Sequence, residues 1–369
     1  MFVLIGHSDE MDPSRTRLYR KGRGAASNPP CRFEPVAVEA IDDGWGALEA
    51  PPPPLRTTVT EDASRTVVTR NQSPDVPFDR SINPYRGCEH GCVYCFARPT
   101  HAYLGLSPGQ DFEARLFAKP SAPALLAEAL RKPGYAPATM ALGTNTDPYQ
   151  PIERSRCITR GLLEVLAAFG HPVAIVTKSN LVLRDRDLLA AMAGRGLARV
   201  YLSVTTLDRG LARRLEPRAP TPARRLEAIA GLAEAGIPVG VMVAPVIPAL
   251  NDPEIEAVLA AAAGAGATSA SYVLLRLPME VRDLFREWLA VHAPDRAARV
   301  MSLVRGMRGG RDYDAQWGRR MTGAGAYAEA IAARFRLACK RHRMGRREFA
   351  LETALFRPPP RPGDQLALF

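Results

Sequence analysis

The chain has 369 residues, 46% of them hydrophobic and 24% charged, and a formal net charge of +11 at pH 7. Such a composition excludes a chain that is disordered throughout and fits one large α/β unit or two smaller domains. The sequence contains no run of about 18 uncharged apolar residues and does not begin with the pattern of a signal peptide, so we expect a cytoplasmic protein without a membrane segment.

Residues 1–65 form the first segment of the chain. They contain the run "PPPP" (51–54), several charges and few long apolar stretches. Such a composition predicts a loosely ordered, Pro-rich leader.

Three of the six cysteines follow within eight residues, at Cys88, Cys92 and Cys95. Cysteines this sparse do not make the disulfide framework of a small secreted domain, so their spacing indicates a metal site. A structural zinc site is one reading, with His90 as a further ligand, but such sites need four closed ligands. A [4Fe–4S] cluster held by three cysteines would keep one iron without a protein ligand, and that iron would be open for chemistry.

The longer stretch "SINPYRGCEHGCVYCFARPTH", with "GTNTDPYQPIE" downstream, resembles the radical S-adenosylmethionine (SAM) superfamily. It is similar to the branch that contains spore photoproduct lyase and the relatives described as DNA repair photolyases. The resemblance covers roughly residues 66–347. It implies that Cys88, Cys92 and Cys95 hold a [4Fe–4S] cluster whose open iron binds SAM. It also implies a 5′-deoxyadenosyl radical that abstracts a substrate hydrogen, and a reductant such as flavodoxin or ferredoxin.

Beyond the cysteines, apolar segments alternate with amphipathic helical patterns. Buried parallel strands are predicted at 138–144, 173–179, 199–206, 238–247 and 269–278, with one more strand just before Cys88. Helices are predicted between them, for example at 222–236. A repeating β/α pattern is compatible with a doubly wound sheet or a barrel. The resemblance favours the partial (β/α)6 barrel of the radical SAM type, over residues 66–290.

Polar side chains follow the second of these strands, where active-site residues of such folds lie. The resemblance implies that this group binds the amino group of SAM. It consists of Thr144, Asn145, Thr146 and Asp147.

Other predicted SAM contacts come from the cysteine motif and from later strands. By resemblance, Tyr94 shapes the contact with adenine, and Lys178 and Ser203 reach the carboxylate or ribose. Arg218 could pair with the same carboxylate, since a guanidinium matches it bidentately, or it could be a solvated loop residue.

The sequence departs from spore photoproduct lyase at one point. That enzyme returns a hydrogen atom through a cysteine soon after the second strand, and "ALGTNTDPYQ" has no thiol there. Cys157 follows a few residues later at the start of a predicted helix, where a structural thiol is the default interpretation. The specific reaction of that enzyme is therefore not implied.

The excess positive charge lies in the predicted helical C-terminal region, 291–350. Residues 296–347 contain 14 Lys or Arg against 3 Asp or Glu, a local excess of 11. Arg336, Lys340 and Arg343 have helical spacing and predict a basic stripe that suits the phosphates of DNA. A solvated helix is the alternative interpretation.

The last segment, 351–369, is a Pro-rich tail that ends in "QLALF". This peptide resembles the motif by which bacterial repair and replication proteins dock on the polymerase sliding clamp. Its anchor positions would be Gln365, Leu366, Leu368 and Phe369. A tail that packs on its own domain is the alternative.

The sequence therefore predicts a radical SAM enzyme, of a lyase or repair type, that acts on DNA. One alternative is a radical SAM enzyme that modifies tRNA, protein or a small metabolite. Another is a non-catalytic iron–sulfur or zinc protein that binds nucleic acid.

Overall fold

The computed structural model describes residues 22–34, 55–346 and 351–360. The described residues contain eleven strands: β1 (Thr58–Glu61), β2 (Val68–Arg70), β3 (Arg80–Ile82), β4 (Tyr85–Arg86), β5 (Arg115–Ala118), β6 (Met140–Leu142), β7 (Val173–Thr177), β8 (Ala198–Ser203), β9 (Val239–Val246), β10 (Ser269–Leu274) and β11 (Gly345–Arg346). Eight of them form the main sheet, in the order β2, β3, β6, β7, β8, β9, β10, β11.

The six strands β3 and β6 to β10 are parallel and neighbour one another in chain order. This arrangement confirms the predicted series of β/α units. β2 runs antiparallel to β3 at one edge, and the short β11 pairs with the start of β10 at the other.

Eleven α-helices lie in the described part of the chain: α1 (Asp111–Ala114), α2 (Ala122–Leu130), α3 (Glu153–Arg156), α4 (Ile158–Ala168), α5 (Arg186–Ala193), α6 (Arg209–Leu215), α7 (Pro222–Glu234), α8 (Ile255–Gly264), α9 (Val281–His292), α10 (Pro294–Gly306) and α11 (Ala326–Arg341). The predicted start of α7 is confirmed, because Thr221 caps the helix and Pro222 occupies its first position. None of these helices is long and apolar enough to span a bilayer.

Side chains of the parallel strands alternate between two environments. On β8, Val200 and Leu202 belong to the large core beneath the helices. Tyr201 points to the other face and fills the lower part of the barrel. A Cβ at Gly240 would lie 2.5 Å from the Tyr201 ring, so this filling requires a glycine on β9. Ser203, two residues farther along β8 on the same face, lines a cavity at the carboxyl end of the strand.

Part of the predicted loose leader packs firmly. Within 22–34, Ala25 is completely buried and Arg23 is 3% exposed. The guanidinium of Arg23 donates to Glu113 O (2.8 Å) and Leu55 O (2.7 Å). The contacts span many residues along the chain, which explains why composition alone did not indicate them. Residues 55–65 of the predicted leader are also ordered, since they contain β1, which pairs with β5. The leader residues 1–21 and 35–54 lie outside the described ranges.

Residues 351–360 cross the amino-terminal end of the barrel. Glu352 N donates to Gly196 O (3.0 Å), just before β8, and Arg357 N donates to Phe169 O (2.9 Å), just before β7. The ring of Phe356 packs against His171 with centroids 5.6 Å apart. The predicted clamp-binding peptide, 365–369, lies outside the described residues and stays a prediction.

Candidate active site

The three clustered cysteines lie on a compact loop between β4 and the 3-10 helix Arg98–Leu104. Gly91 N donates to Cys88 O (3.3 Å), and Cys95 N donates to Cys92 O (3.2 Å). These two turns fold the loop back on itself, so all three thiols reach one cavity.

A buried ion pair supports this loop from below. Arg98 and Glu113 are both completely buried and form a salt bridge. Arg98 also donates to Cys92 O (2.9 Å) and to Gly91 O (3.3 Å). The guanidinium thus fixes the loop backbone through several charge-assisted hydrogen bonds.

The leader closes the same side of the loop. Gly24 N and Ala25 N donate to the carboxylate of Glu113 at 2.9 and 2.8 Å. Gly24 lies so close to the loop that a Cβ there would be 1.7 Å from Gly91 O. Glycine at position 24 is therefore required by this close approach.

The cysteine thiols are in a place that disfavours their charged form. Burial raises the pKa of Cys88, Cys92 and Cys95, that of Cys92 to about 12. The carboxylates of Asp147 and Glu216 raise the pKa of Cys88 and Cys92 further. Thiolates here need a bound cation to stabilise them, which is the chemistry that a metal cluster supplies.

The thiol arrangement suits a cluster more than a single ion. Among the described residues, no three His, Cys, Asp or Glu side chains converge tightly enough to hold one metal ion. Ligands of a single zinc ion lie within about 4 Å of one another. The thiolates of a [4Fe–4S] cluster bind different irons and can lie farther apart. Three thiols on one wall of a shared cavity therefore fit the cluster.

The cavity has a volume of about 260 Å³ and joins the cysteine loop to the carboxyl ends of the strands. Its lining combines the thiols with short polar side chains from β6 to β8 and with apolar side chains. The predicted residues that line it are Cys88, Cys92, Cys95, Tyr94, Thr144, Asn145, Thr146, Asp147, Lys178 and Ser203. The structure brings these residues together.

Asp147 differs from the other polar residues after β6, because its carboxylate is already occupied. It accepts from Thr177 Oγ1 (2.6 Å), Lys178 N (2.7 Å) and Tyr149 N (2.9 Å), and His90 Nδ1 lies 3.4 Å away. Burial favours the neutral acid, but His90 and these hydrogen bonds lower the pKa of Asp147 to about 2. A carboxylate accepts about four hydrogen bonds. The geometry therefore favours a role for Asp147 in orienting the loop, and not a role as a direct ligand of SAM.

Asn83 orients the same loop, and the sequence prediction missed this role. Its Oδ1 accepts from Asn145 N (3.0 Å) and Thr146 N (3.3 Å). Thr146 Oγ1 in turn donates to Tyr85 O (3.1 Å). An asparagine directly after the first barrel strand was the available signal.

Lys178 and Ser203 contact each other at neighbouring strand ends, and their predicted contact with SAM stays a prediction. Lys178 Nζ donates to Ser203 Oγ (3.1 Å) and lies 5.8 Å from the centre of the Tyr94 ring. Ser203 Oγ donates to Ala244 O (3.1 Å). Within the described ranges, this leaves an ammonium group at the cavity wall whose hydrogen-bonding capacity is only partly used.

Tyr94 is anchored by a buried pair that the sequence prediction also missed. Its hydroxyl donates to Glu216, which forms a buried salt bridge with Arg225. Burial alone would raise the pKa of Glu216, but Arg225 and Lys178 lower it to about 2. The charged carboxylate fixes the phenol, and so the orientation of the Tyr94 ring beside Lys178.

Arg218 lies outside the cavity lining. Its guanidinium donates to Glu89 Oε1 (2.8 Å) and to Thr57 Oγ1 (3.2 Å), which are 129 and 161 residues away along the chain. The sequence offered no sign of these distant partners. A contact between Arg218 and SAM remains a prediction, and this ion pair gives it no support.

The other cysteines are elsewhere. Cys157 lies at the start of α4, as predicted, and its exposed Sγ is 3.5 Å from Arg184 Nη1. Cys31 is buried and donates to Ala102 O (3.2 Å), and Cys339 lies on α11. None of the three lines the cavity.

The three side chains of the predicted basic stripe, Arg336, Lys340 and Arg343, are all exposed. The prediction that all three lie on one helix is wrong for Arg343, because α11 ends at Arg341 and the backbone of Arg343 is left-handed, with a φ of 54°. α11 begins near the carboxyl ends of the strands, where Tyr327 Oη donates to Asp252 Oδ2 (2.7 Å). The chain after α11 reaches the opposite end, where Gly345 pairs with Ser269 at the start of β10. The stripe therefore leads away from the cavity.

Comparisons with known proteins agree with this geometry. A model of the radical SAM superfamily matches residues 82–262. An uncharacterized protein of Mycobacterium bovis is 41% identical over 232 residues, covering 62% of this chain and 68% of the relative.

Solved structures extend the comparison to the fold. A point mutant of spore photoproduct lyase superposes with a TM-score of 0.54 at 16% identity, covering 78% of this chain and 80% of that one. Another mutant of that enzyme, with bound AdoMet and dinucleoside spore photoproduct, gives a TM-score of 0.51 at 15% identity with the same coverage. At these identities the likeness shows a shared fold.

Proposed function

The chain belongs to the radical SAM superfamily, and we propose that it acts on DNA in a repair-type reaction. Enzymes of this family use a [4Fe–4S] cluster and SAM. When bound, this pair supplies a 5′-deoxyadenosyl radical that can abstract a hydrogen atom from a substrate. A reductant such as flavodoxin or ferredoxin would provide the electron.

The observation that carries the proposal is the single cavity that unites the thiols with the polar strand ends. Cys88, Cys92 and Cys95 would hold three irons of the cluster from one wall. Lys178 and Ser203, on another wall, would bind the carboxylate or ribose of SAM by charge and hydrogen bonds.

The remaining polar groups would orient the amino group of SAM. The hydroxyl of Thr144 and the amide of Asn145 would lie beside it, on a loop that Asn83 and Asp147 hold in place. The apolar part of the lining, which includes Phe78 and Met242, would exclude water from the radical.

Two observations, one from the fold and one from the charge distribution, support DNA as the substrate. The fold is shared with spore photoproduct lyase, a structure of which contains dinucleoside spore photoproduct. The chain also carries a local excess of positive charge in its C-terminal region. An enzyme that modifies tRNA, protein or a small metabolite would keep the same cavity, so substrate analysis must decide between them.

The test begins with anaerobic reconstitution and reduction. We expect about four irons per chain, an EPR signal that changes when SAM is added, and production of 5′-deoxyadenosine. Cys92→Ala should abolish SAM cleavage, whereas Cys157→Ala should retain it, since Cys157 is exposed and outside the cavity.

Stoichiometric zinc without any effect of SAM would refute the enzymatic proposal. A loss of cleavage in Cys157→Ala with an intact cluster would move that thiol into the mechanism. Anaerobic turnover with UV-irradiated DNA, tRNA and small metabolites as parallel substrates then identifies the product. Conversion of tRNA or a metabolite, but not of DNA, would overturn the DNA assignment.

A further inference from the structure

Arg276 lies at the mouth of the cavity, two residues beyond the end of β10. Its guanidinium carbon is 4.8 Å from the centre of the Phe96 ring. Phe96 directly follows Cys95, lines the same cavity and is 44% exposed. An aromatic face holds the plane of a guanidinium while leaving its edge free to donate hydrogen bonds.

The donor groups of Arg276 are poorly used within the described part of the chain. Nη1 donates to Met321 Sδ (3.5 Å), a weak acceptor, and the buried Nε has no hydrogen-bond partner. By contrast, Arg320, which adjoins Met321 in the chain, forms a salt bridge with Asp75. The Nη groups of Arg276 therefore keep donor capacity for a ligand in the cavity.

The position of Arg276 separates it from the residues assigned to SAM. Ser203 ends β8, and β9 lies between β8 and β10. Two steps between neighbouring strands correspond to roughly 10 Å. Lys178, already hydrogen-bonded to Ser203, is the cation of that other part of the cavity.

We propose that Arg276 binds a backbone phosphate of a nucleic-acid substrate, with Phe96 holding the guanidinium in position. This inference rests on the proposed action on DNA. A phosphodiester offers two oxygens to the planar fork of a guanidinium, and among the described residues Nη1 of Arg276 has only a sulfur acceptor to give up. The phosphate would remain at the exposed mouth while the attached nucleotide enters the cavity.

The test measures binding of a fluorescent single-stranded oligothymidylate of about ten nucleotides to reconstituted enzyme by anisotropy. Arg276→Gln should weaken binding at least ~tenfold, and the slope of log K against log salt should fall by about 0.7. The affinity of Arg276→Lys should lie between those of the wild type and Arg276→Gln, since lysine keeps the charge but lacks the planar fork. The matched control is Arg299→Gln, at an exposed arginine on α10.

A second probe isolates the phosphate. Oligonucleotides with one uncharged methylphosphonate, placed at each position in turn, should show one position where the loss is smaller in Arg276→Gln than in the wild type.

The role of Arg276 would be overturned if the losses from the methylphosphonate and from Arg276→Gln were additive at every position. It would also be overturned if Arg276→Gln weakened the binding of SAM and not that of DNA. Either result would leave the DNA proposal intact. If the wild type binds no oligonucleotide, both proposals fall.

Discussion

At the scale of single residues, the site depends on ionisable groups whose charge is fixed by buried partners. Glu216 and Arg225 are both buried and hold Tyr94 in place. Removing one partner of such a pair leaves an uncompensated buried charge, which costs about 3–5 kcal/mol. The same logic explains why Asp147 and Glu216 remain charged at any pH where the enzyme would work.

His171 is a buried group that stays neutral. Nδ1 contacts Pro172 O (3.0 Å), which fixes the tautomer that donates there, and Nε2 accepts from Tyr135 Oη (2.8 Å). Burial and the charge of Arg80 lower the pKa of His171 to about 4. A second ring proton, on Nε2, would point at the hydroxyl of Tyr135, whose oxygen already accepts a hydrogen bond from Arg80.

This environment predicts a pH dependence of stability. Below its ordinary pKa of 6.5, His171 takes up a proton in the unfolded chain but not in the folded one, until the pH nears 4. The wild type should therefore lose about 3 kcal/mol of unfolding free energy between pH 6.5 and 4 relative to His171→Gln. Urea unfolding of both variants across this range measures the difference, and parallel curves would contradict it.

At the scale of elements, the leader acts as part of the cysteine loop. The segment 22–34 supplies two backbone donors to Glu113, which in turn pairs with Arg98 beneath the loop. The loop is thus fixed by Arg98 from its own segment and, through Glu113, by a leader that is distant in sequence. The leader would therefore affect the cluster without contacting it.

Gly24→Ala tests this relation. Its Cβ would lie 1.7 Å from Gly91 O, a backbone atom, so the backbone of the leader or of the cysteine loop must shift. We expect less iron per chain after reconstitution and faster bleaching of the cluster absorbance in air. Gly264→Ala is the control, because that helical glycine has open space around its Cβ position. Equal iron content and equal bleaching rates in the two variants would contradict the role of the leader.

At the scale of the whole molecule, the two ends of the barrel differ. The cavity, the cysteine loop and the leader lie at the carboxyl ends of the strands. Residues 351–360 and the lower part of the basic stripe lie at the amino ends. A nucleic acid that contacts both the cavity and the stripe would have to pass along the outside of α11.

The salt dependence of DNA binding tests whether a nucleic acid contacts the stripe. Reversing the charges of Arg336, Lys340 and Arg343 should flatten the slope of log K against log salt for duplex DNA by about 0.9 per lost phosphate contact. SAM cleavage should be unchanged because the stripe leads away from the cavity. Reversal at three exposed arginines elsewhere, Arg209, Arg213 and Arg296, serves as the control. An unchanged slope for the stripe variant would leave the stripe as a solvated helix face.

The sequence by itself determined the periodic elements and the chemical class of the site. Apolar segments predicted five of the six parallel strands, because a strand buried on both faces is apolar over its whole length. The first, β3, has the sequence Arg-Ser-Ile and was predicted only as a strand before the cysteines. The spacing of Cys88, Cys92 and Cys95 predicted a cluster with an open iron, because ligand number and spacing are local properties. The polar residues at the strand ends followed from the same pattern, because parallel strands present their carboxyl ends at one edge.

Only the tertiary structure decided the partners of those residues. Asp147 is saturated by donors from β7 and the cysteine loop, Arg218 pairs with Glu89, and the leader packs beneath the loop. The unpartnered Nε of Arg276 beside Phe96 was equally hidden. Each of these facts depends on contacts between segments far apart in the chain. Periodicity and spacing depend on residues that are neighbours along the backbone. The hydrogen-bond partners of a side chain depend on which distant segments the fold places beside it.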